Sequence, residues 1–111
     1  MKDNRVYLSH IIDSINHILS YTEGMDEKSF NRNFLVQDAV VRNFEIIGEA
    51  SKRIRPEFKI EYPSVPWKKM AGMRDKLIHD YVHVDLETVW EAISAILPSL
   101  LVELKKIRNE L

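Results

Sequence analysis

The sequence predicts an all-α protein, and three observations support this prediction. Apolar residues recur at the spacing of an amphipathic helix, no segment alternates as a β-strand would, and only three glycines and four prolines occur. The small number of turn residues argues against a β-sandwich or β-barrel. We therefore expect a bundle of four main helices with short connecting helical turns. The 111 residues suit one domain, 1–111.

The first expected helix carries a broad apolar stripe: Leu8, Ile11, Ile12, Ile15, Ile18 and Leu19. Asp3 or Asn4 can cap its start, and Gly24 can end it. Val6 and Tyr7 widen the stripe beyond the width that one partner helix covers. A bundle of this size often buries such a surplus in a homodimer, which we expect here.

A second, long helical stretch is expected after Asp26, which can cap it, and before Pro56, which ends it. Its apolar positions are Val36, Val40, Phe44, Ile47 and Ile54. Residues 56–65 contain two prolines, so they are expected to form a connector with one helical turn.

The third helix is expected to have Pro66 in its first turn and to carry Trp67, Met70, Met73 and Leu77. Asp85 can cap the last helix, whose apolar stripe continues from Leu86 to Ile107. Pro98 lies inside this stripe, where it lacks an amide donor and clashes with the carbonyl near Ser94. A kink, or two abutting helices, is therefore expected there.

Composition excludes several classes of protein. The chain has no cysteine, so it has no disulfide framework, thiolate zinc site or cysteine nucleophile. No apolar run approaches the roughly 20 residues that span a bilayer, and residues 1–20 lack an apolar signal core. We therefore expect a cytoplasmic protein with no membrane association.

The charge is unevenly distributed along a chain whose net charge is only −1. Residues 52–76 hold eight basic and three acidic side chains, a surplus of +5, so the rest of the chain carries −6. This basic middle could form a local anion site. On charge alone, a set of solvated helix faces is the favoured interpretation.

The four histidines do not indicate a metal centre. His79 and His83 have the spacing of a helical zinc pair, but Asp80 stands where zinc proteases place a glutamate. His10 and His17 share one helix face without a carboxylate at ligand spacing, so they are interpreted as packing or surface residues. No metal and no cofactor is expected.

The segment from Gly72 to Tyr81 concentrates side chains suited to phosphodiester chemistry. Arg74 offers a planar cation that matches a phosphate, and His79 can take and give a proton near neutral pH. Asp75 precedes His79 by four residues, so on a helix it can orient the imidazole. Tyr81 adds a hydroxyl close to the helix face of Arg74.

Helix geometry places a condition on this site. Arg74 and His79 are about 140° apart around one helix, so within one copy they converge only if Arg74 reaches around the helix or the helix ends near His79. Two copies that meet across a two-fold axis would also bring the histidine of one subunit to the arginine of the other. An alternative without function is a helix end at which Arg74 and Lys76 are solvated and His79 packs against Trp67 or Trp90. The spacing of arginine and histidine alone does not exclude that alternative.

The residues from Arg74 to Tyr81 fit the R-x-x-x-x-H-x-Y motif of the HEPN superfamily, and the surrounding chain resembles one branch of it, the HepT toxins. The resemblance is carried by Phe44–Ala50 (FEIIGEA), by the connector Tyr62–Trp67 (YPSVPW) and by Met73–Tyr81. It covers nearly the whole chain, from the first helix to the helix containing Leu97 and Pro98.

This resemblance implies an all-α dimer that acts as a metal-independent endoribonuclease, with RNA as its substrate. His79 would be the general acid or base, Arg74 would stabilise charge on the scissile phosphate, and Asp75 would support them. The resemblance further implies a type VII toxin-antitoxin system. In it, an MntA-type nucleotidyltransferase antitoxin silences the toxin by transferring AMP to Tyr81, within a homodimer or a larger hetero-oligomer.

Two other functions remain open at this stage. The first is a non-catalytic helical module that binds a nucleotidyltransferase or a nucleotide, since some HEPN relatives have lost catalysis. The second, a DNA-binding regulator, is less favoured because the basic segment is broken by prolines and shows no recognition helix.

Overall fold

The computed structural model describes residues 3–73, 75 and 85–111, and the regular structure in these ranges is entirely helical. The elements are α1 (Asn4–Tyr21), α2 (Glu27–Arg32), α3 (Phe34–Arg53), α4 (Pro56–Glu61), α5 (Trp67–Ala71), α6 (Leu86–Glu91), a π-helical turn (Ala92–Ile96) and α7 (Leu97–Glu110). The prediction of an all-α bundle is therefore confirmed. Within the described ranges, no helix has both the length and the apolar character needed to cross a membrane.

Helix α1 begins and ends where the sequence indicates. The Asp3 carboxylate accepts hydrogen bonds from the backbone amides of Arg5, at 2.9 Å, and Val6, at 3.3 Å. These bonds satisfy donors that lack partners in the first helical turn. After α1 ends at Tyr21, Gly24 adopts a positive φ of 76°, a conformation that a side chain would disfavour.

The predicted second helix is in fact two helices, so the expectation of one continuous stretch was wrong. Helix α2 stops at Arg32, and Asn33 has the non-helical angles φ −108° and ψ 88°. Its side-chain oxygen accepts the amide of Val36 at 3.1 Å and so caps the start of α3. A short polar side chain that bonds the backbone offers an alternative to continuing the helix. The predicted end before Pro56 is confirmed.

The expected third helix is interrupted at Gly72. Pro66 is the residue before α5 rather than part of its first turn, and α5 ends at Ala71 with Gly72 as its C-terminal cap. Met73 is helical again, whereas Leu77 lies outside the described residues. The connector before α5 forms the six-residue helix α4, which starts at Pro56.

The last helical stretch is interrupted close to the predicted position. Asp85 caps α6, and the π turn lies immediately before Leu97 and Pro98. Pro98 cannot donate to the carbonyl of Ser94, and a widened turn accommodates the missing bond. The hydroxyl of Ser94 donates to the carbonyl of Trp90 at 2.9 Å. The interruption is thus a π turn within a continuous helical path rather than two separate helices.

The core forms where α1 packs against α3 and α7. Helix α5 packs against α3, and α2 contacts both α3 and α6. The largest side chains with almost no exposed surface come from these helices: Leu8, Ile11, Ile12, Ile15, Ile18, Phe30, Phe44, Ile47, Met70, Leu97 and Leu104. The apolar stripes read from the sequence therefore face one another, as an amphipathic bundle requires.

The cap of α2 makes a testable contribution to stability. The Asp26 carboxylate accepts the Ser29 amide at 2.8 Å, and the Ser29 hydroxyl accepts a bond from the Asp26 backbone amide. These interactions hold the pKa of Asp26 below its usual value of 3.8, first through the Ser29 amide and then through the Ser29 hydroxyl. The folded state therefore gains stability above that value and loses it as the pH falls through the lowered pKa.

We expect Asp26→Ala to lower the melting temperature by a constant amount above about pH 5, because the carboxylate is ionised there in wild type. The difference from wild type should shrink as the pH falls below 3.8. Thermal unfolding followed by circular dichroism between about pH 2 and pH 7 measures this difference. Asp38→Asn, on the exposed face of α3, is the control. An Asp26→Ala difference that stays constant across the acid range would contradict the cap's role.

Candidate active site

Most of the predicted active-site residues fall outside the part of the chain that the structure describes. Arg74, His79 and Tyr81 belong to this group, as does the histidine pair His79 and His83. Asp75 is described, and it is helical and exposed. The structure gives the positions of the elements on either side: α5 ends at Ala71, and α6 begins at Leu86.

Helix α5, which leads into the motif, is anchored firmly in the bundle. Trp67 and Met70 are buried, and α5 packs against α3. The indole Nε1–H of Trp67 donates to the carbonyl of Tyr62 at 2.9 Å, so its polar atom is satisfied. The Trp67 ring also meets the ring of Phe58 edge-on, with centroids 6.0 Å apart. Helix α5, which ends three residues before Arg74, is therefore held by both packing and hydrogen bonding.

Tyr62 supports this anchor and is not suited to proton transfer near neutral pH. Its ring lies 4.9 Å from that of Phe58, centroid to centroid. Burial raises the pKa of the Tyr62 hydroxyl, and the carboxylates of Glu61 and Glu110 raise it further. A phenol whose pKa lies above its usual value of 10.0 stays protonated under physiological conditions. Tyr62 therefore acts as a packing residue.

Helix α6, which follows the motif, is fixed at its first turn. The carboxylate of Asp85 accepts the amide of Thr88 at 3.1 Å and its hydroxyl at 2.8 Å. Val89 is completely buried, and the ring of Trp90 lies 5.4 Å from that of Phe30 in α2. The motif is thus connected at both ends to elements that pack on the core.

Both tryptophans named as packing partners for His79 have aromatic neighbours of their own. Trp67 contacts Phe58, and Trp90 contacts Phe30. The alternative in which His79 only packs against a tryptophan concerns a residue outside the described ranges, so it stays an open prediction. Among the described residues, no three histidine, aspartate or glutamate side chains are grouped to hold a metal ion.

Three lysines from the basic middle of the chain line one open groove of about 820 Å³ beside α5. We call it the lysine groove, and its lining is Lys59, Ile60, Pro63, Val65, Pro66, Trp67, Lys68, Lys69 and Gly72. From the sequence, the basic middle was a candidate anion site, but solvated helix faces were favoured on charge alone, and these three lysines were not singled out. The signal that could have singled them out was the surplus of +5 over residues 52–76.

A second groove, of about 540 Å³, lies along α1 and α3 and has mixed charge. His10 and Arg42 line it together with Glu45 and Glu49. The ring of Tyr7 meets that of His10 edge-on at 6.3 Å, and a guanidinium nitrogen of Arg53 lies 3.6 Å from Glu49 Oε1. Cations and anions offset one another in this groove, whereas all the charged residues that line the lysine groove are lysines.

Comparison with known proteins identifies the family of this chain. A model of the family described as Ribonuclease HepT-like matches residues 11–107. The chain belongs to this family. The match spans every described helix except the ends of α1 and α7, and it includes the HepT-like motif from Arg74 to Tyr81. The HepT resemblance seen in the sequence is therefore confirmed.

Individual relatives agree with this family. A Methanocaldococcus jannaschii protein named "Gamma-glutamylcyclotransferase and putative RNase" is 46% identical over 99% of this chain, but the chain spans only 50% of that protein. Another protein from the same organism, named "Putative RNase", is 40% identical over 99% of this chain, and the chain spans 95% of that protein. The "Probable ribonuclease HepT" of Thermococcus cleftensis is 40% identical over 97% of this chain and 98% of its own length. No solved structure shows significant similarity to this HepT-like chain.

The N-terminal cap of α6, the helix that follows the motif, can be tested directly. We expect Asp85→Ala to destabilise this HepT-like protein by about 1 kcal/mol, whereas Asp85→Asn should retain most of the stability because asparagine also caps helices. Amide hydrogen exchange at Thr88 should accelerate in the alanine variant, since the amide loses its acceptor. Equal exchange at Thr88 in both variants would show that the side chain does not cap α6.

Proposed function

We propose that this protein is a metal-independent endoribonuclease and the toxin of a type VII toxin-antitoxin pair, with residues 1–111 forming one HEPN-like domain. The observation that carries the proposal is the intact Arg74, His79 and Tyr81 motif inside a chain that the HepT-like family matches over 11–107. The relatives' names, which include RNase and ribonuclease HepT, support RNA as the substrate.

The proposed chemistry is an internal transfer at one phosphodiester. The 2′-hydroxyl attacks the adjacent phosphorus, His79 takes its proton, and the new O2′–P bond forms as the P–O5′ bond breaks. A proton returns to the departing O5′. Arg74 offsets the negative charge that builds on the phosphate oxygens, and Asp75 orients the imidazole. A positioned guanidinium and imidazole account for this reaction without a metal ion.

A homodimer is part of the proposal because it would bring both groups to the same phosphate. Arg74 and His79 are about 140° apart on a helix, so a two-fold axis would let the histidine of one subunit face the arginine of the other. Apolar surface supports association: Phe34 is 74% exposed and Leu35 is 82% exposed at the start of α3. On α1, Val6 also remains 36% exposed.

Control of the toxin is proposed to act on Tyr81. An MntA-type nucleotidyltransferase would transfer AMP to the Tyr81 hydroxyl and release pyrophosphate from ATP. The adenylate adds bulk and negative charge, which would repel an RNA phosphate at the same cleft. This accounts for a phenol placed two residues after the proposed general base.

The second candidate function, a non-catalytic module that binds a nucleotidyltransferase or nucleotide, fits the chain less well. A pure adaptor has no need for an arginine, a histidine and a tyrosine together at motif spacing. Growth separates the two functions: expression without the partner should arrest cells only if the protein is a toxin.

We expect His79→Ala to lower RNA cleavage by about 10²–10⁴-fold, because it removes proton transfer. Arg74→Ala should lower it by about 10²–10³-fold, because it removes charge stabilisation. Digestion of total RNA in excess EDTA measures both effects, and wild type should remain active there.

Matched controls lie in the same segment. His83→Ala and Lys76→Ala remove a histidine and a cation that the motif does not use, so cleavage should stay near the wild-type rate. Equal cleavage by wild type and His79→Ala would refute the assignment of the general base. Loss of wild-type activity in EDTA would refute the metal-independent mechanism.

Tyr81→Phe should leave the toxin active but remove the acceptor for AMP. Cells that express this variant with the MntA-type partner should therefore grow more poorly than cells that express wild type with it. Mass spectrometry of the co-expressed toxin measures the added mass, with Tyr62→Phe as the control. Full protection of the Tyr81→Phe strain would place the modification on another residue.

A further inference from the structure

We infer that the lysine groove binds single-stranded RNA next to the scissile phosphate and so contributes to substrate affinity. This inference rests on the proposed ribonuclease function and extends it to a defined surface. Nothing in the catalytic motif itself requires these residues, because the groove is built from α4, the following turn and α5.

The charge of the groove matches a nucleic-acid backbone. Among the residues lining it, Lys59, Lys68 and Lys69 carry charge, and no carboxylate is present. Lys68 and Lys69 are exposed on the short helix α5, so their ammonium groups can reach a strand in the groove. A strand that places phosphates there would release counterions, which favours binding.

The apolar part of the groove matches unpaired bases. Ile60 is 78% exposed although it is a large aliphatic residue, and Pro63 and Pro66 also line the groove. On a single strand, the phosphates would meet the lysines while the faces of unpaired bases cover the apolar side chains. We favour a single strand because it carries phosphates for the lysines together with base faces for Ile60, and no carboxylate lines the groove.

Hydrogen bonds hold this apolar surface in place before any ligand binds. The amide of Trp67 donates to the carbonyl of Val65 at 2.8 Å, and the indole of Trp67 donates to the carbonyl of Tyr62. The hydroxyl of Ser64 in the same turn bonds the carboxylate of Glu103 on α7, which does not line the groove. A turn fixed in this way loses little conformational entropy when a strand binds.

The groove is also close to the motif along the chain. Gly72 lines the groove, and Arg74 follows it by two residues, at most about 7 Å of extended chain. If Arg74 holds the scissile phosphate, the nucleotides on each side of that phosphate must continue along the protein surface. The lysine groove offers the neighbouring nucleotides a complementary surface there.

The test measures binding of an oligouridine of about 12 nucleotides, long enough to fill a single-strand site, whose 2′-O-methyl groups prevent cleavage. Fluorescence anisotropy over a KCl series gives the dependence of log affinity on log salt. We expect Lys68→Ala/Lys69→Ala to reduce the slope by about 1.4, since each phosphate that is no longer neutralised removes about 0.7. The control Lys105→Ala/Lys106→Ala removes an equally exposed lysine pair from α7 and should leave the slope unchanged.

A second variant tests the apolar contact. Ile60→Ser should weaken binding about fivefold with an unchanged salt slope, since it removes apolar surface but no charge. Because Ile60 is exposed, this change does not disturb the core. In cleavage assays, the Lys68/Lys69 variant should raise KM about tenfold at low salt and leave kcat unchanged.

Other results would overturn the inference. Suppose that wild type cleaves RNA and that the Lys68/Lys69 variant has the same salt slope and KM as wild type or the α7 control. The groove is then not an RNA subsite, and the proposed function stands. If that variant or Ile60→Ser instead weakens antitoxin binding or changes the sedimentation mass, with RNA binding intact, the groove belongs to a protein interface. If wild type neither binds nor cleaves RNA, the proposed function fails and the subsite fails with it.

Discussion

The packing of α1 against α3 and α7 is the interaction on which the rest of the structure depends. The apolar face of α1 is almost completely buried at five positions: Leu8, Ile11, Ile12, Ile15 and Ile18. Helix α3 is held by this contact, and α5 and α2 then pack on α3. A core fixed in this order gives the short helices around the motif a rigid support that they could not provide alone, since helices of five or six residues are unstable in isolation.

The motif is therefore connected to two supports that are fixed independently. On one side, Trp67 and Met70 hold α5 against α3; on the other, Val89 and Trp90 hold α6 against the core and α2. Arg74 follows the first support in the chain, whereas Tyr81 comes just before the second. Both supports are therefore fixed to the bundle, one on each side of the motif along the chain.

Local signals in the sequence were sufficient for the fold class and most helix ends. Asp3, Asp26 and Asp85 cap helices as expected, because a carboxylate at this position has one dominant use. The break at Asn33 was missed, because the apolar periodicity on both sides suggested continuity and a single capping side chain decided otherwise.

For the candidate site too, the sequence predicted some residues and missed others. Arg74, His79 and Tyr81 were predicted from motif spacing within one short segment and from a resemblance that extends over nearly the whole chain. The lysine groove was not found, because it unites residues from α4 and α5 whose proximity depends on the turn around Tyr62 and Trp67.

The π turn from Ala92 to Ile96 has a further consequence, for how chains of this kind can vary in length. It accommodates one residue more than an α turn, so a homologue that is one residue shorter and lacks Pro98 could close this stretch as a regular α-helix with its buried face intact. Single-residue deletions should be better tolerated here than in α1, where they would rotate half of the apolar stripe into water.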